Sequence, residues 1–476
     1  MTTSVMQASK YPRTRRGQVL PLGLVFLVIC CASLLFMFSA GKVVDEKLTV
    51  TNAADAAAYS AGIAHARALN YEAYVNRAII ANELAIAQAI SMVSWLRYFE
   101  QGVYNVGTLD ALVVQHLIVG GIPIAAVLSG TAYLDAWTGG SALSDIIEII
   151  EYINALGIMN IHAGAILALR ASQLATDVAF SSGIPQTDLA REVARRSDAS
   201  LDLELVPTSI VGLAGFTSTY GRASSGGDAR GRLADTVMRS RDEFTASRGF
   251  THLGPNIPFV QRNVSLRKRG GTDLINFDEW QAVDTLAVHR QVWPCFRKGI
   301  PRWCDAEEIP IAGAARSETG ADPSGGSGSY GRSSEDNPNT TSSALSSNED
   351  MRSLGAVLWQ GISDNQDVAN LDPARDQRVG LSFFVWKPEN TSRSAGRNPN
   401  VQPTGELAVF NAAAPGNRIA SLARAEVFFM RPEVRPDGRR ELASLYSPYW
   451  QSRLVAPTAA DRLYAATRQN GLALGL

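Results

Sequence analysis

From Gln18 to Ala40 the chain carries no charged residue, and this run constrains the molecule more than any other feature. Lys10, Arg13, Arg15 and Arg16 precede it, and Lys42, Asp45, Glu46 and Lys47 follow. At about 1.5 Å per residue such a run is long enough to cross a ~30 Å hydrocarbon core as a helix. The basic flank belongs on the cytoplasmic side, which places everything after Gly41 outside it. A cleaved secretory signal has a shorter apolar core, about 7–15 residues, followed by small residues at the cut. Length and flanks therefore favour a retained anchor. Cys30 follows Val28-Ile29 rather than the small residues of a lipid-attachment site, so Cys30 and Cys31 read as residues of the span.

Lysine plus arginine number 44 and aspartate plus glutamate 45, which gives no electrostatic basis for binding nucleic acid. Two of the four cysteines lie in the span. The others, Cys295 and Cys304, flank a Lys298-Gly299 turn between Trp293 and Trp303. In an extracytoplasmic body this pair is expected to form a disulfide that closes a short hairpin; two free buried thiols are the alternative.

Residues 42 to about 100 contain no proline and predict one long helix. Nine alanines fall between residues 53 and 68, which favours helix and lets another helix approach closely. Beyond them Val75, Ile79, Leu84, Ile90, Val93 and Leu96 recur at helical spacing as a packed face. A second apolar stretch, 109–134, contains Gln115, His116, Gly120-Gly121 and Pro123. Those residues favour a buried or membrane-skimming helical pair over a second span, which would invert the topology. Helix resumes over 144–181, with Asp145 as a cap and Ile146, Ile149, Ile150, Ile153 and Leu156 on its packing face.

The character changes after Pro185. Val264–Ile275 predicts a hairpin turning at Gly270-Gly271, and 278–292 a strand. The polar, glycine-rich 313–350 predicts a flexible linker. Strands are expected again at 379–386, 406–410 and 424–430, with a turn at Pro436-Asp-Gly438. The fold class is α+β. The order is a cytoplasmic basic tail 1–17, a transmembrane helix 18–41, a helical region 42–182, a mixed to β-rich region 183–312, the linker 313–350 and a β-rich region 351–476.

Arg15-Arg-Gly17-Gln18, the apolar span, Asp45 and then Asn52-Ala-Ala54-Asp55-Ala-Ala form an ordered set. The set resembles the N-terminal domain of the TadE/TadG-like proteins of Flp (tight-adherence) pilus assembly, over about the first 70 residues. Ala423–Phe429 and Tyr446–Val455 are similar to the tail of larger members. The resemblance implies a bacterial inner-membrane protein, single-pass, with its body in the periplasm. It implies partners among other pilus or secretion components, met through the membrane helix and the Ala-rich helix. Gly17, Gln18, Asp45, Asn52, Ala54 and Asp55 are the motif residues carried over. Processed pilins have Glu at the fifth place after the cleavage-site glycine; Leu22 stands there, which favours a retained anchor.

Catalytic motifs are weak. Gly326–Gly331 matches Gly-x-Gly-x-x-Gly but sits in the polar segment without the strand and helix that a dinucleotide site needs. Asp198-Ala-Ser-Leu-Asp202 follows a charged helix surface and reads as a polar loop rather than a metal site. The histidines are scattered. Arg262, Arg267, Lys268 and Arg269 read as a solvated strand edge, with contact to acidic lipid or wall polymer as a second reading. The expected function is non-enzymatic, without cofactor or metal. A tethered envelope-polymer enzyme and a secreted adhesin are the alternatives.

Overall fold

The computed structural model describes residues 19–108, 142–218, 220–222, 228–321, 325–362, 366–368, 377–387, 419–439 and 441–470. One helix organises them. α1, Val19–Thr108, runs 90 residues without a break, about 135 Å at helical rise. From Leu20 to Phe38 its apolar side chains face outward, and none of the most apolar window is buried by protein. From Val50 onward, positions three and four apart are buried in one stripe, through Ala53, Ala57, Ala61, Ile79, Ile86, Ile90 and Val93.

α2 (Ala142–Tyr152), a π-helical segment (Ile153–Met159) and α3 (Asn160–Ser181) return along α1. Arg97 bonds Glu151 (Nε to Oε1, 2.7 Å), Asn82 meets His162, and Gln173 donates to Asn76. Gly183, at φ 73°, turns the chain into α4 (Ile184–Ser197), whose Ala190 and Ala194 meet the alanine stripe.

β1 (Asp202–Leu205), α5 (Pro207–Ser218), β2 (Tyr220–Arg222), α6 (Asp228–Arg239), α7 (Glu243–Ala246) and β3 (Phe250–Leu253) follow. The long strands β4 (Gln261–Ile275) and β5 (Glu279–Val292) then pair antiparallel. Next come the hairpin β6 (Cys295–Arg297) and β7 (Ile300–Arg302), and β8 (Glu307–Thr319). Beyond them lie α8 (Ser333–Asp336), α9 (Pro338–Ser346) and β9 (Glu349–Asp350). β10 (Gln366–Val368), β11 (Arg378–Lys387), β12 (Ile419–Phe429), β13 (Trp450–Val455) and α10 (Ala459–Asn470) complete the described order.

Two sheets grip α1. The first, in order β1-β11-β12-β13, is antiparallel and packs on residues 50–69. The second, β3-β4-β5-β8-β9, packs on residues 75–105. Asn70 joins the first sheet by donating to the Trp450 carbonyl (3.0 Å) and accepting from its amide (2.9 Å). Ser94 donates to Asp284 (2.9 Å) and Asn105 to the Ile311 carbonyl (2.7 Å), so the second sheet runs toward the C-terminal end of α1. β1 lies at the edge of a sheet otherwise built from 378–455, so the regions 183–312 and 351–476 share one core.

Several expectations change. Residues 313–350 are not a linker. Gly313 to Thr319 finish β8, and Tyr330, in the turn before α8, with Ser333, Thr340 and Ala344 of α8 and α9, is buried against the second sheet. The small and polar side chains that suggested a loop are satisfied internally: Asp273 accepts from the Ser329 and Tyr330 amides, and Glu308 from those of Asn339 and Thr340. Gly270-Gly271 is not a turn either. β4 passes straight through it and turns at Asn276–Asp278. The glycines permit close approach, because a Cβ on Gly270 would lie 2.2 Å from Asp284 Oδ1, and one on Gly271 2.4 Å from the Gly331 amide. Asp145 sits inside α2 rather than capping it. The turn at Gly438 (φ 68°) and the strands near 379–386 and 424–430 form as expected. The expectations for 109–134 and 406–410 lie outside the described residues.

Candidate functional site

The motif residues divide by burial. Gly17 and Gln18 lie outside the described residues. Asp45 and Asn52 are exposed on α1, and Asp55 is half-buried. Ala54 is fully buried in the core shared by α1, α4 and the first sheet. The alanine face expected to meet partner helices is therefore covered by this chain's own β12, β13 and α4. Its small side chains let a sheet lie close: a Cβ on Gly62 would stand 3.0 Å from Ala425 Cβ and 2.2 Å from Ser452 Oγ.

The apolar surface left open lies elsewhere. Ile147, Ala155, Met159, Ala163 and Ile166 turn inward from α2, the π segment and α3. Ile146, Ile149, Ile153 and Leu156, expected to pack, instead face out. The spacing was helical but the buried face is the one bearing Glu151, because Arg97 and Arg316 (Nε to Oε1, 3.0 Å) draw that carboxylate in. Ile161, Leu167, Leu174 and Val178 continue the exposed face. Between Glu148 and Asp188 no charged side chain is fully exposed. This helix pair is also apolar and long enough to cross a membrane, with 28% of its most apolar window buried in protein.

A different surface closes the far end of the second sheet. Cys295 and Cys304 form a disulfide, with Cα atoms 5.0 Å apart, across the β6–β7 hairpin. Lys298 and Gly299 make its turn at φ 53° and 79°. Trp293 and Trp303 pack at 5.5 Å between ring centroids, and the Arg262 guanidinium lies 4.6 Å over Trp303. The rest of the basic run is not a solvated edge. Lys268 is buried, bonding Asp284 at 2.6 Å, and Arg269 pairs with Asp336 at 2.6 Å.

Asp284 centres a buried ion cluster. Its Oδ1 accepts from Lys268 Nζ and Arg248 Nε, and its Oδ2 from Arg248 Nη2 and Ser94 Oγ. Burial opposes the charge, but Lys268 and Arg248 outweigh it and hold the Asp284 carboxyl at about 2. Two other carboxyls shift upward. Burial, then the nearby Asp177, pushes Glu72 to about 8, and burial, then Asp350, pushes Glu318 to about 9. Neither oxygen of either group has a hydrogen-bond partner among the described residues. Both are enclosed rather than set in a cleft. An open groove of about 360 Å³ does exist, lined by Gln88, Met92, Trp95, Asp242 and Phe244. Asp242 is its one titratable group and bonds Gln88 at 3.2 Å, so the groove contains no acid–base pair. Among the described residues no three His, Cys, Asp or Glu side chains are grouped to hold a metal ion. Asp198, in the loop read as polar, pairs with Lys387 at 2.8 Å.

Sequence reasoning found the disulfide hairpin but not the outward face of α2–α3 or the buried aspartate. Periodicity locates an apolar face without saying which side is covered, and a lone Asp in a strand carries no signal of its ion partners. Comparison with protein-family models, with curated proteins and with solved structures returns no match for this chain.

Proposed function

We propose that the chain is a membrane-anchored, non-enzymatic scaffold of a Flp/Tad-type pilus assembly or secretion machine. Residues 18–41 cross the inner membrane with the N terminus cytoplasmic, and the body stands in the periplasm. The observation that carries this reading is the continuity of α1. The helix whose apolar N-terminal part faces outward continues into the centre of both sheets, so the body is joined rigidly to the anchor. Partner contact falls on the outward face of α2–α3. Phe180, two residues beyond Val178, packs against His65, so that face begins about 36 Å along α1 from residue 41. At that distance its apolar side chains suit a protein partner, an apolar helix of another component, better than the bilayer holding the anchor. Exposed Asp45 and Asn52 and half-buried Asp55, nearer the membrane, are the motif positions still open to a partner.

The test replaces Cys30 and Cys31, both free, by serine and then introduces single cysteines at exposed Tyr74 and Thr251 for labelling from either side. Both sites should label from the periplasm. Photo-crosslinkers at Ile153, Leu167 and Leu174 in cells should capture other envelope proteins. Labels on opposite sides would overturn the topology. Crosslinks confined to this chain, for example to 109–141, would overturn the docking face.

A further inference from the structure

Among the described residues, the disulfide-closed end of the second sheet is the most exposed concentration of large apolar side chains outside the helices. Phe259 and Phe296 are 74% and 70% exposed, and Ile300 is 69% exposed. These are not side chains of a loose loop. The Trp293 amide donates to the Val260 carbonyl (3.0 Å) and the Cys304 amide to the Val292 carbonyl (2.9 Å). Phe259 packs edge-on to Trp293, and the disulfide ties the base of the hairpin. The disulfide joins the two strands of the hairpin at its base, and in this arrangement the three side chains face water.

The charge around them is mainly positive. Arg262, Arg297, Lys298 and Arg302 are exposed there, and neither 254–272 nor 289–304 contains an acidic residue. Two acids stand beside them, Asp305, 3.9 Å from Arg302, and Glu307, 3.4 Å from Arg290; both are exposed, so each screens one cation weakly. We infer that this tip docks on an anionic lipid bilayer: Phe259, Phe296 and Ile300 enter the acyl boundary, and Arg297, Lys298 and Arg302 meet the headgroups. Exposed apolar side chains alternate with cations along the hairpin, with Phe296 and Ile300 flanking the Lys298-Gly299 turn and a tryptophan pair at the base; long Lys and Arg stems carry their charges to headgroups while the apolar groups enter, as in an interfacial membrane anchor. An acidic polymer would use the cations and leave the exposed Phe259, Phe296 and Ile300 without a role.

The position adds a consequence. The second sheet meets α1 through Ser94 and Asn105, and β4 and β5 continue past those contacts to the tip. The tip therefore lies roughly 95 Å along α1 from residue 41. This part rests on the anchor reading: if 18–41 crosses one membrane, the tip reaches a second one, and the body bridges the two.

The experiment holds the full chain in phosphatidylcholine nanodiscs and mixes it with separate vesicles, either phosphatidylcholine alone or with about one third phosphatidylglycerol. Disc-held chain should float with the anionic vesicles only. Phe296→Ser/Ile300→Ser should abolish flotation. Arg297→Gln/Lys298→Gln/Arg302→Gln should weaken binding at least about tenfold and remove its salt dependence. These positions are exposed, and near-ultraviolet circular dichroism verifies the fold. Absence of flotation with anionic vesicles, or flotation unchanged in both variants, would overturn the tip. So would polyphosphate binding as tightly as the vesicles and indifferent to Phe296→Ser/Ile300→Ser. A chain that fails to enter nanodiscs refutes the anchor; a disc-held chain that ignores vesicles refutes the tip.

Discussion

Asp284→Asn tests whether the buried ion cluster holds the second sheet to α1. The aspartate is fully buried and accepts four hydrogen bonds, from β4, from the segment after α7 and from α1. Asparagine keeps the shape but replaces one accepting oxygen by a donating amide, which then faces Lys268 or Arg248. Both cations are left with little water, being 4% and 7% exposed. Removing one partner of a buried ion pair typically costs about 3–5 kcal/mol, and we expect a loss in that range. Burial already pulls the Lys268 pKa down, so Lys268 can relieve the strain by losing its proton, and the penalty should shrink as pH rises. Lys268→Met leaves the two-pronged Arg248–Asp284 contact intact and should cost less. The double variant Asp284→Asn/Lys268→Met should then recover about 1–2 kcal/mol relative to additivity. Urea unfolding of the full chain in detergent reads this out through tryptophan fluorescence, because all eight tryptophans lie outside 18–41. A loss below about 1 kcal/mol for Asp284→Asn, or strict additivity with Lys268→Met, would refute the argument. In the parent, Asp284 contributes stability that is present above the ordinary carboxylate range and lost as pH falls through about 2.

Glu318 acts in the opposite sense. Its folded pKa, about 9, is raised, so its contribution is present below the unfolded value of 4.5 and lost as pH rises toward 9. Glu318→Gln should remove up to about 1.4 kcal/mol per pH unit of that decline, seen as a flatter stability profile between pH 6 and 8; an unchanged slope refutes it. Gly62→Ala improves helix propensity by about 1 kcal/mol, yet its Cβ would press on Ala425 and Ser452, so the net change should be destabilising by about 1–3 kcal/mol in urea. Gly231→Ala on α6, where a Cβ meets nothing within 4 Å, should stabilise instead; equal effects at both sites would refute the close-packing account.

The long helix was legible because its signal is local: no proline, many alanines and an unbroken apolar stripe act within a few turns. The disulfide was legible because redox compartment and turn residues both pointed to it. What fills the alanine face was not legible. A small-residue stripe says that something approaches closely, and the expected partner helix is replaced by β12, β13 and α4, two of them more than 350 residues away. The error over 313–350 has a similar origin. Serine, threonine and asparagine read as solvated, but here they bury against the sheet because Asp273, Glu308 and Thr285 supply their partners. Hydrogen bonds of such long range leave no trace in local composition.

These corrections narrow where binding can occur. The motif that resembles the TadE/TadG-like N-terminal domain contains both Ala54 and Asp55, yet the two cannot serve the same purpose. Ala54 is used within the fold, and any larger residue there would displace the sheet. Its presence is explained by folding alone and says nothing about partners. Asp45 and Asn52 have no such explanation, since they stand exposed on α1 outside its buried stripe. Loss of assembly after Asn52→Ala or Asp55→Ala, with unfolding unchanged, would therefore speak for a partner at this part of α1. Loss after a change at Ala54 would speak only for the core. The motif should be tested through its exposed members, and the proposed docking surface sought on α2–α3, whose outward apolar face is uncovered among the described residues.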